Sequence, residues 1–216
     1  MKSRGHITLT FDDGYEHILK DIVPLLDQHQ IPGVFAIPIH GQSIQKETGH
    51  KVSSVQDWQS INPRHEIAAH SLTHCNLTAC PTPQQIKEIK EPKEILGATT
   101  LVYPGGAFNA VVLDAVKKYY SAARTTQKGF EKIPPNNPYQ LKTHNWTQQN
   151  FSPIKANALA LFAYLTNAWL IETYHIISND DKTNSHAIPL KDFQKHLNFI
   201  TKLPIQPTTI REAIST

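Results

Sequence analysis

Three stretches of the chain carry side chains able to hold a divalent ion and move a proton: Asp12-Asp13-Gly14, the pair His70 and His74, and His175 in WLIETYHII. Asp12 and Asp13 follow an alternating, β-branched run from Ile7 to Phe11. Both carboxylates therefore fall on the turn at a strand's end, where the backbone can direct them into one pocket. Alone, Asp-Asp-Gly is ordinary turn chemistry. His70 and His74, four apart, would share one face of a helical turn and could chelate one ion. Ser71 stands where the H-E-x-x-H metalloprotease motif needs a glutamate, which argues against that class. One aspartate with two histidines leaves positions open for water and substrate, the pattern of a catalytic metal centre; a structural zinc site would be closed. There an ion would acidify water and polarise a carbonyl while the second aspartate accepts the water's proton. His175 ends an apolar strand and reads, by itself, as a strand-end or hydrogen-bonded core histidine.

Strand ends must hold these groups, and the pattern supplies them. Strands are predicted at Ile7 to Phe11, Gly33 to Ile39, the start of HEIAAHSLTH, Leu101 to Tyr103, Ser121 to Thr125, Tyr139 to Thr143 and Trp169 to Ile177. Helices are predicted at Ile18 to His29 with a break at Pro24, Val55 to Ile61, Gln84 to Leu96 interrupted by Pro92, Ala110 to Tyr119, Pro153 to Asn167 and Lys191 to Leu203. Strand and helix alternate without an internal repeat, which argues for an α/β fold on a parallel sheet, with reactive residues at the C-terminal strand ends. The polar segments 40–54 and 131–138 read as the loops that frame a groove.

With 216 residues, one domain over 1–216 is the expectation. The 39% apolar and 18% charged content is that of a globular protein that folds unaided. A net charge of +3, with Lys and Arg spread along the chain, argues against nucleic-acid or membrane-surface binding. Cys75 and Cys80 make neither a disulfide framework nor a zinc knuckle. No run approaches the roughly twenty apolar residues of a membrane span, and Met1 to Thr10 lacks a signal-peptide core, so no export signal is expected in the chain as given.

TFDDG at 10–14, HSLTH at 70–74, YPGG at 103–106 and TYHII at 173–177, in that order and spacing, resemble the NodB-homology polysaccharide deacetylases, carbohydrate esterase family four. HEIAAHS before the first histidine and IPLKDFQKHLNFI near the end extend the likeness over nearly the whole chain. The resemblance implies a distorted, TIM-like (β/α) barrel of seven or so parallel strands. It implies metal-dependent hydrolysis of an acetyl group, N-acetyl first, on a carbohydrate, with one divalent ion: zinc foremost, cobalt, nickel or iron admitted. By position Asp12 would be the base, Asp13, His70 and His74 the metal ligands, and His175 the acid that protonates the leaving group. Tyr103 and Gly105 would lie in the substrate and oxyanion stretch, with the Gly105 N–H as donor. Family members usually act outside the cytoplasm, whereas this sequence leaves the compartment open.

Two motifs depart from the common pattern. The third usually carries an arginine two residues before its proline and an aromatic residue after it, where this chain has Val102 and Gly105. Arg124, at the end of the next strand, is the candidate to supply the missing guanidinium to Asp12; the alternative is a surface arginine. The fourth motif region reads His144-Asn145-Trp146, with Trp146 either a pocket wall or a core residue. These departures keep open a non-catalytic carbohydrate-binding protein and a metal-dependent amidase acting on a small non-sugar substrate.

Overall fold

In the computed structural model, strand and helix alternate through residues 5–181 and 183–215, the described residues; residues 1–4, with which the Met1 to Thr10 segment opens, lie outside them, as do 182 and 216. The strands are β1 (His6–Phe11), β2 (Gly33–Ile37), β3 (Glu66–Ala69), β4 (Thr100–Val102), β5 (Ala122–Lys128), β6 (Leu141–Asn145) and β7 (Trp169–Tyr174). Each pairs in parallel with the next, and β7 returns to β1 in register from His6↔Trp169 to Phe11↔Tyr174. Seven parallel strands thus close a (β/α) barrel, as the sequence implied. Its distortion sits at the base. Strand β2 pairs only with Leu9 to Phe11 of β1, while a short strand near the C-terminus, Gln206–Pro207, pairs with His6 and Ile7.

Burial on both faces explains the apolar runs: all five residues of GVFAI and all six of WLIETY are buried. The helices are α1 (Val23–Gln28), α2 (Gln42–Thr48), α3 (Val55–Gln59), α4 (Thr82–Leu96), α5 (Ala110–Tyr119), α6 (Pro153–Thr166), α7 (Leu190–Ile200) and α8 (Ile210–Ile214). Phe11 stacks on Phe35 at 5.2 Å and on Tyr174 at 5.6 Å and meets Phe193 edge-on at 6.1 Å, which ties β1, β2 and β7 to α7. No helix among the described residues is long and apolar enough to cross a membrane.

Several expectations are corrected. Segment 40–54 is not all loop: it contains α2, which buries Ile44 and stops at Gly49 with φ 75°. The break expected at Pro24 is present as a change of helix type: one π-helical turn over Ile18–Ile22 gives way to α1 at Val23, with Pro24 in its first turn. Pro92 does not interrupt α4: it is buried inside one continuous 15-residue helix. The last barrel strand ends at Tyr174, and Ile176–Ile177 forms a separate two-stranded ladder with Ala187–Ile188. His175 occupies the break between them.

Candidate metal centre and its cavity

The turn after β1 is built on two left-handed residues. Asp12 extends the β1/β7 pairing through its N–H to the Tyr174 carbonyl at 2.9 Å; Asp13 then has φ 74° and Gly14 φ 69°. The reversal separates the two neighbouring carboxylates and carries Asp13 toward the loop after β3. Gly14 is needed there: a Cβ would lie 3.2 Å from Ile37 and 3.4 Å from the Trp58 indole nitrogen, on top of the positive φ.

His70 and His74 meet, but not on a helical turn. They lie in a loop in which Ser71 has φ 63° and His74 φ 60°, and their ring centroids are 4.7 Å apart. The loop's amides are taken by a side chain instead of a helix ladder. The buried Glu88 carboxylate of α4 accepts from Leu72 N at 2.9 Å, Thr73 N at 2.8 Å and the Thr73 hydroxyl at 2.7 Å. Ser71 Oγ accepts from His74 N at 2.9 Å. His70 Nδ1 lies 2.8 Å from the Val102 carbonyl, which can only accept, so Nδ1 carries the hydrogen and Nε2 is left as a donor of electrons.

Asp13 Oδ1 lies 3.5 Å from His70 Nε2 and 3.4 Å from His74 Nε2. Ligand atoms of a tetrahedral ion with bonds of about 2.1 Å stand about 3.4 Å apart. The trio therefore fits one small divalent cation, and all three ligand atoms lie within 4.8 Å of one another. Burial alone would raise the Asp13 carboxyl, but the His70 hydrogen bond and the fields of His175, His70 and His74 hold it far below the usual range. Burial, then His70, brings His74 down to about 4. Burial also pulls His70 down, yet the Asp13 hydrogen bond and both carboxylates outweigh it and leave His70 raised. The resulting anion beside imidazoles is a set that exchanges protons for a metal ion.

Asp12 faces Arg124. The Arg124 Nη2 nitrogen lies 2.6 Å from Oδ1 and 2.5 Å from Oδ2 of Asp12, with side-chain exposures of 1% and 5%. Val102 and Arg124 are register partners on β4 and β5, so the guanidinium enters from the position across the ladder from the one where the motif usually carries it. His175 Nε2 is 3.8 Å from Asp12 Oδ2.

Asp12, Asp13, His70, His74 and His175 surround one cavity of about 640 Å³, also lined by Tyr103, Gly105 and His186. Gly105 has φ 60° and nothing within 4 Å of where a Cβ would stand, so the backbone there is open to the cavity and conformation, not crowding, selects glycine. Tyr103 is buried and its hydroxyl donates to the Tyr139 carbonyl at 3.1 Å. Trp146 does not line this cavity: its indole N–H donates to Glu172 at 3.1 Å and its ring packs edge-on to Phe151 at 5.3 Å. Its side chain belongs to the core, and its remaining edge lines a neighbouring cavity. Of the two segments expected to frame the groove, 40–54 contributes Ile44, Glu47 and Thr48, whereas 131–138 contributes nothing and Asn184 to His186 takes its place. His186, 4.7 Å from His175 between ring centroids, and Glu88 were not singled out from the sequence. SHAI carries no motif spacing, and Glu88 looks like one more charge on a charged helix.

A closed seven-stranded (β/α) barrel with an Asp-His-His cluster at the C-terminal ends of its strands defines a barrel protein with a candidate metal centre. Residues 1–122 match the family described as polysaccharide deacetylase, over half of the chain, and the chain belongs to that family. The match spans TFDDG, HSLTH and YPGG; Arg124, Trp146 and His175 lie beyond it. The chain is similar to a chitooligosaccharide deacetylase of Rhizobium leguminosarum bv. trifolii, 32% identical over 120 residues, 50% of this chain and 50% of that protein. It is also similar to YxkH of Bacillus subtilis (strain 168), provisionally named a polysaccharide deacetylase, with 26% identity over 132 residues, 57% of this chain and 45% of that one. The chain thus spans about half the length of both relatives. Among solved structures, a family 4 carbohydrate esterase from Streptomyces lividans in complex with acetate shares the fold at TM-score 0.59 and 15% identity, over 94% of this chain and 92% of that one.

Proposed function

We propose that the protein hydrolyses acetyl groups on a carbohydrate, N-acetyl ahead of O-acetyl, with Asp13, His70 and His74 holding one divalent cation, zinc foremost and cobalt, nickel or iron admitted. The observation that carries this reading is the meeting, in one cavity, of a metal-spaced Asp-His-His trio with a buried arginine-paired carboxylate and an imidazole. The name of the Rhizobium relative favours the N-acetyl choice. Bound there, the ion supplies Lewis acidity toward the acetyl carbonyl and acidifies water.

The chain's own groups do the rest. Asp12, fixed by Arg124, accepts the proton of the attacking water. His175, 3.8 Å from Asp12 across the cavity wall, gives a proton to the departing amine nitrogen, so one proton is taken and one returned while acetate leaves. The Gly105 N–H, on backbone open to the cavity, donates to the carbonyl oxygen as it gains charge. No acyl-enzyme forms, because the nucleophile is water.

Acetate release from N-acetylglucosamine tetramer tests this. Stripping the metal with a chelator should abolish release, and zinc or cobalt should restore it. Asp13→Asn keeps a residue that tolerates left-handed backbone, so it should fold, bind metal poorly and lose roughly 100-fold or more in turnover. Full activity in protein shown to be metal-free would overturn the mechanism. Sugar binding without acetate release by metal-loaded protein would favour the non-catalytic reading, and release from small amides alone the amidase.

A further inference from the structure

The loop that carries His70 and His74 runs on to the chain's two cysteines, Cys75 directly after His74 and Cys80 two residues before α4 begins at Thr82. Both are free thiols and half-buried, so each packs on the protein yet keeps a route to solvent. Their sulfurs stand 3.1 Å apart. A disulfide bond is about 2.05 Å long, so about 1 Å of side-chain motion would join them. The intervening turn builds this proximity. Asn76 Oδ1 accepts from Thr78 N at 3.0 Å and from the Thr78 hydroxyl at 2.8 Å, the Asn76 carbonyl accepts from Ala79 N at 3.0 Å, and Leu77 is fully buried. Beyond the turn, Gln85 Nε2 of α4 donates to the Cys80 carbonyl at 2.8 Å. Two cysteines make no framework, but a pair held in this way can make one link.

We propose that Cys75 and Cys80 are a modification site that closes to an intramolecular disulfide, with a small-molecule disulfide such as oxidised glutathione as the oxidant, and that the link clamps the backbone beside His74 to the start of α4. One protein thiolate attacks the small disulfide, breaking its S–S bond, releasing one small thiol and leaving a mixed disulfide; the second protein sulfur then displaces the other small thiol. Two electrons pass from the cysteine pair to the small disulfide, and the two cysteine protons end on the two released thiols. Glu88 holds the loop on the N-terminal side of His74, through Leu72 and Thr73. The link holds it on the other side, so His74 keeps its φ of 60° between two anchors. The link itself needs no functional reading; only its effect on His74 rests on the metal centre proposed above.

The test takes the reduced full chain through glutathione buffers of rising oxidised fraction, blocks the remaining thiols with iodoacetamide and weighs the intact protein. The expected result is one step from two blocked thiols to none, without bound glutathione or dimer, and a peptide map that joins Cys75 to Cys80. A chain that keeps both thiols in fully oxidised glutathione, or that carries glutathione in place of the link, overturns the modification. The linked chain, stripped of metal, should melt roughly 4–8 °C above the reduced one, as closing a short loop implies for a chain of this size. In Cys80→Ser, which only exchanges sulfur for oxygen at a half-buried site, the same two buffers should leave melting unchanged. Zinc affinity, from competition with a chelator, should be roughly three- to tenfold higher in the linked chain, because its loop has fewer conformations to lose on binding. Equal melting or equal zinc affinity of the linked and reduced chains would overturn the clamp. If neither form binds zinc, the metal-centre reading fails, and the mass measurement still decides the link.

Discussion

At Asp12 a single guanidinium nitrogen, Nη2 of Arg124, lies against both carboxylate oxygens, at 2.6 and 2.5 Å, while Nη1 reaches the Thr125 carbonyl at 3.3 Å and Nε has no partner. This is a charge held at one point, unlike the two-pronged fork in which arginine has no substitute. The difference fixes what substitutions should do. Arg124→Lys keeps a positive charge near the carboxylate and should retain turnover within roughly tenfold. Arg124→Met leaves a buried carboxylate uncompensated, a cost of about 3–5 kcal/mol if it stays charged. If Asp12 instead takes up a proton to escape that cost, it can no longer accept one from water, and kcat/KM should fall roughly 100-fold or more. Steady-state acetate release and urea unfolding on both variants check this; a methionine variant with wild-type turnover and stability would remove Arg124 from the proton-transfer scheme. The sequence could nominate Arg124 only through the gap at Val102. That two residues 22 positions apart in the chain are neighbours across a ladder is a fact of register.

One scale up, the loop after β3 depends on α4. Three donors of that loop end on the Glu88 carboxylate, and among the described residues none of the proposed ligands Asp13, His70 and His74 hydrogen-bonds to it. Removing it frees two backbone N–H groups and lets His74 leave its left-handed conformation. Glu88→Ala should therefore weaken zinc affinity by roughly 10- to 100-fold, the usual effect of losing a partner that orients a ligand. The measurement is competition with a chromophoric chelator, beside a thermal melt. Unchanged affinity would show that His74 holds its place without α4. Elements of this kind mark where the sequence stops being legible. Strands such as GVFAI announce themselves because a barrel strand is apolar on both faces, and long helices because their period repeats. The His70/His74 spacing named a pair that does meet, but on the wrong backbone, since a helix and a loop with two positive-φ residues both bring residues four apart together. The short helix α2 and the two-residue strands are set by what they pack against, whereas α8 has a local start signal, the Thr209/Glu212 capping box, that the sequence reading passed over.

For the whole molecule, the barrel is pinned by two imidazoles acting as acceptors. His65 Nδ1 accepts from Gly33 N at 2.9 Å, fastening the start of β2, and His17 Nε2 accepts from Ile177 N at 3.3 Å, fastening the strand beyond β7. A ring nitrogen that accepts must be unprotonated. Burial, helped by His50, brings His17 down to about 4, and burial lowers His65 as well as His6, His144 and His186. Each of these groups is neutral in the folded chain at a pH where the unfolded chain binds a proton. Their contribution to stability is present above about pH 6.5, falls as pH drops below it, and for His17 levels off below about 4. Glu66 and His70, both raised, act in the opposite sense. With His74 lowered as well, six against two, the balance is a protein that loses stability between pH 6.5 and 4, before the lowered carboxylates Asp13 and Asp181 begin to protonate. Urea unfolding of metal-free protein across that range reads the slope directly. His17→Gln offers an acceptor that cannot titrate, so it should reduce the slope by about one proton while leaving stability at pH 7.5 near that of the wild type. A pH-independent unfolding free energy in wild type, or an unaltered slope in the glutamine variant, would mean that the barrel does not hold these rings neutral.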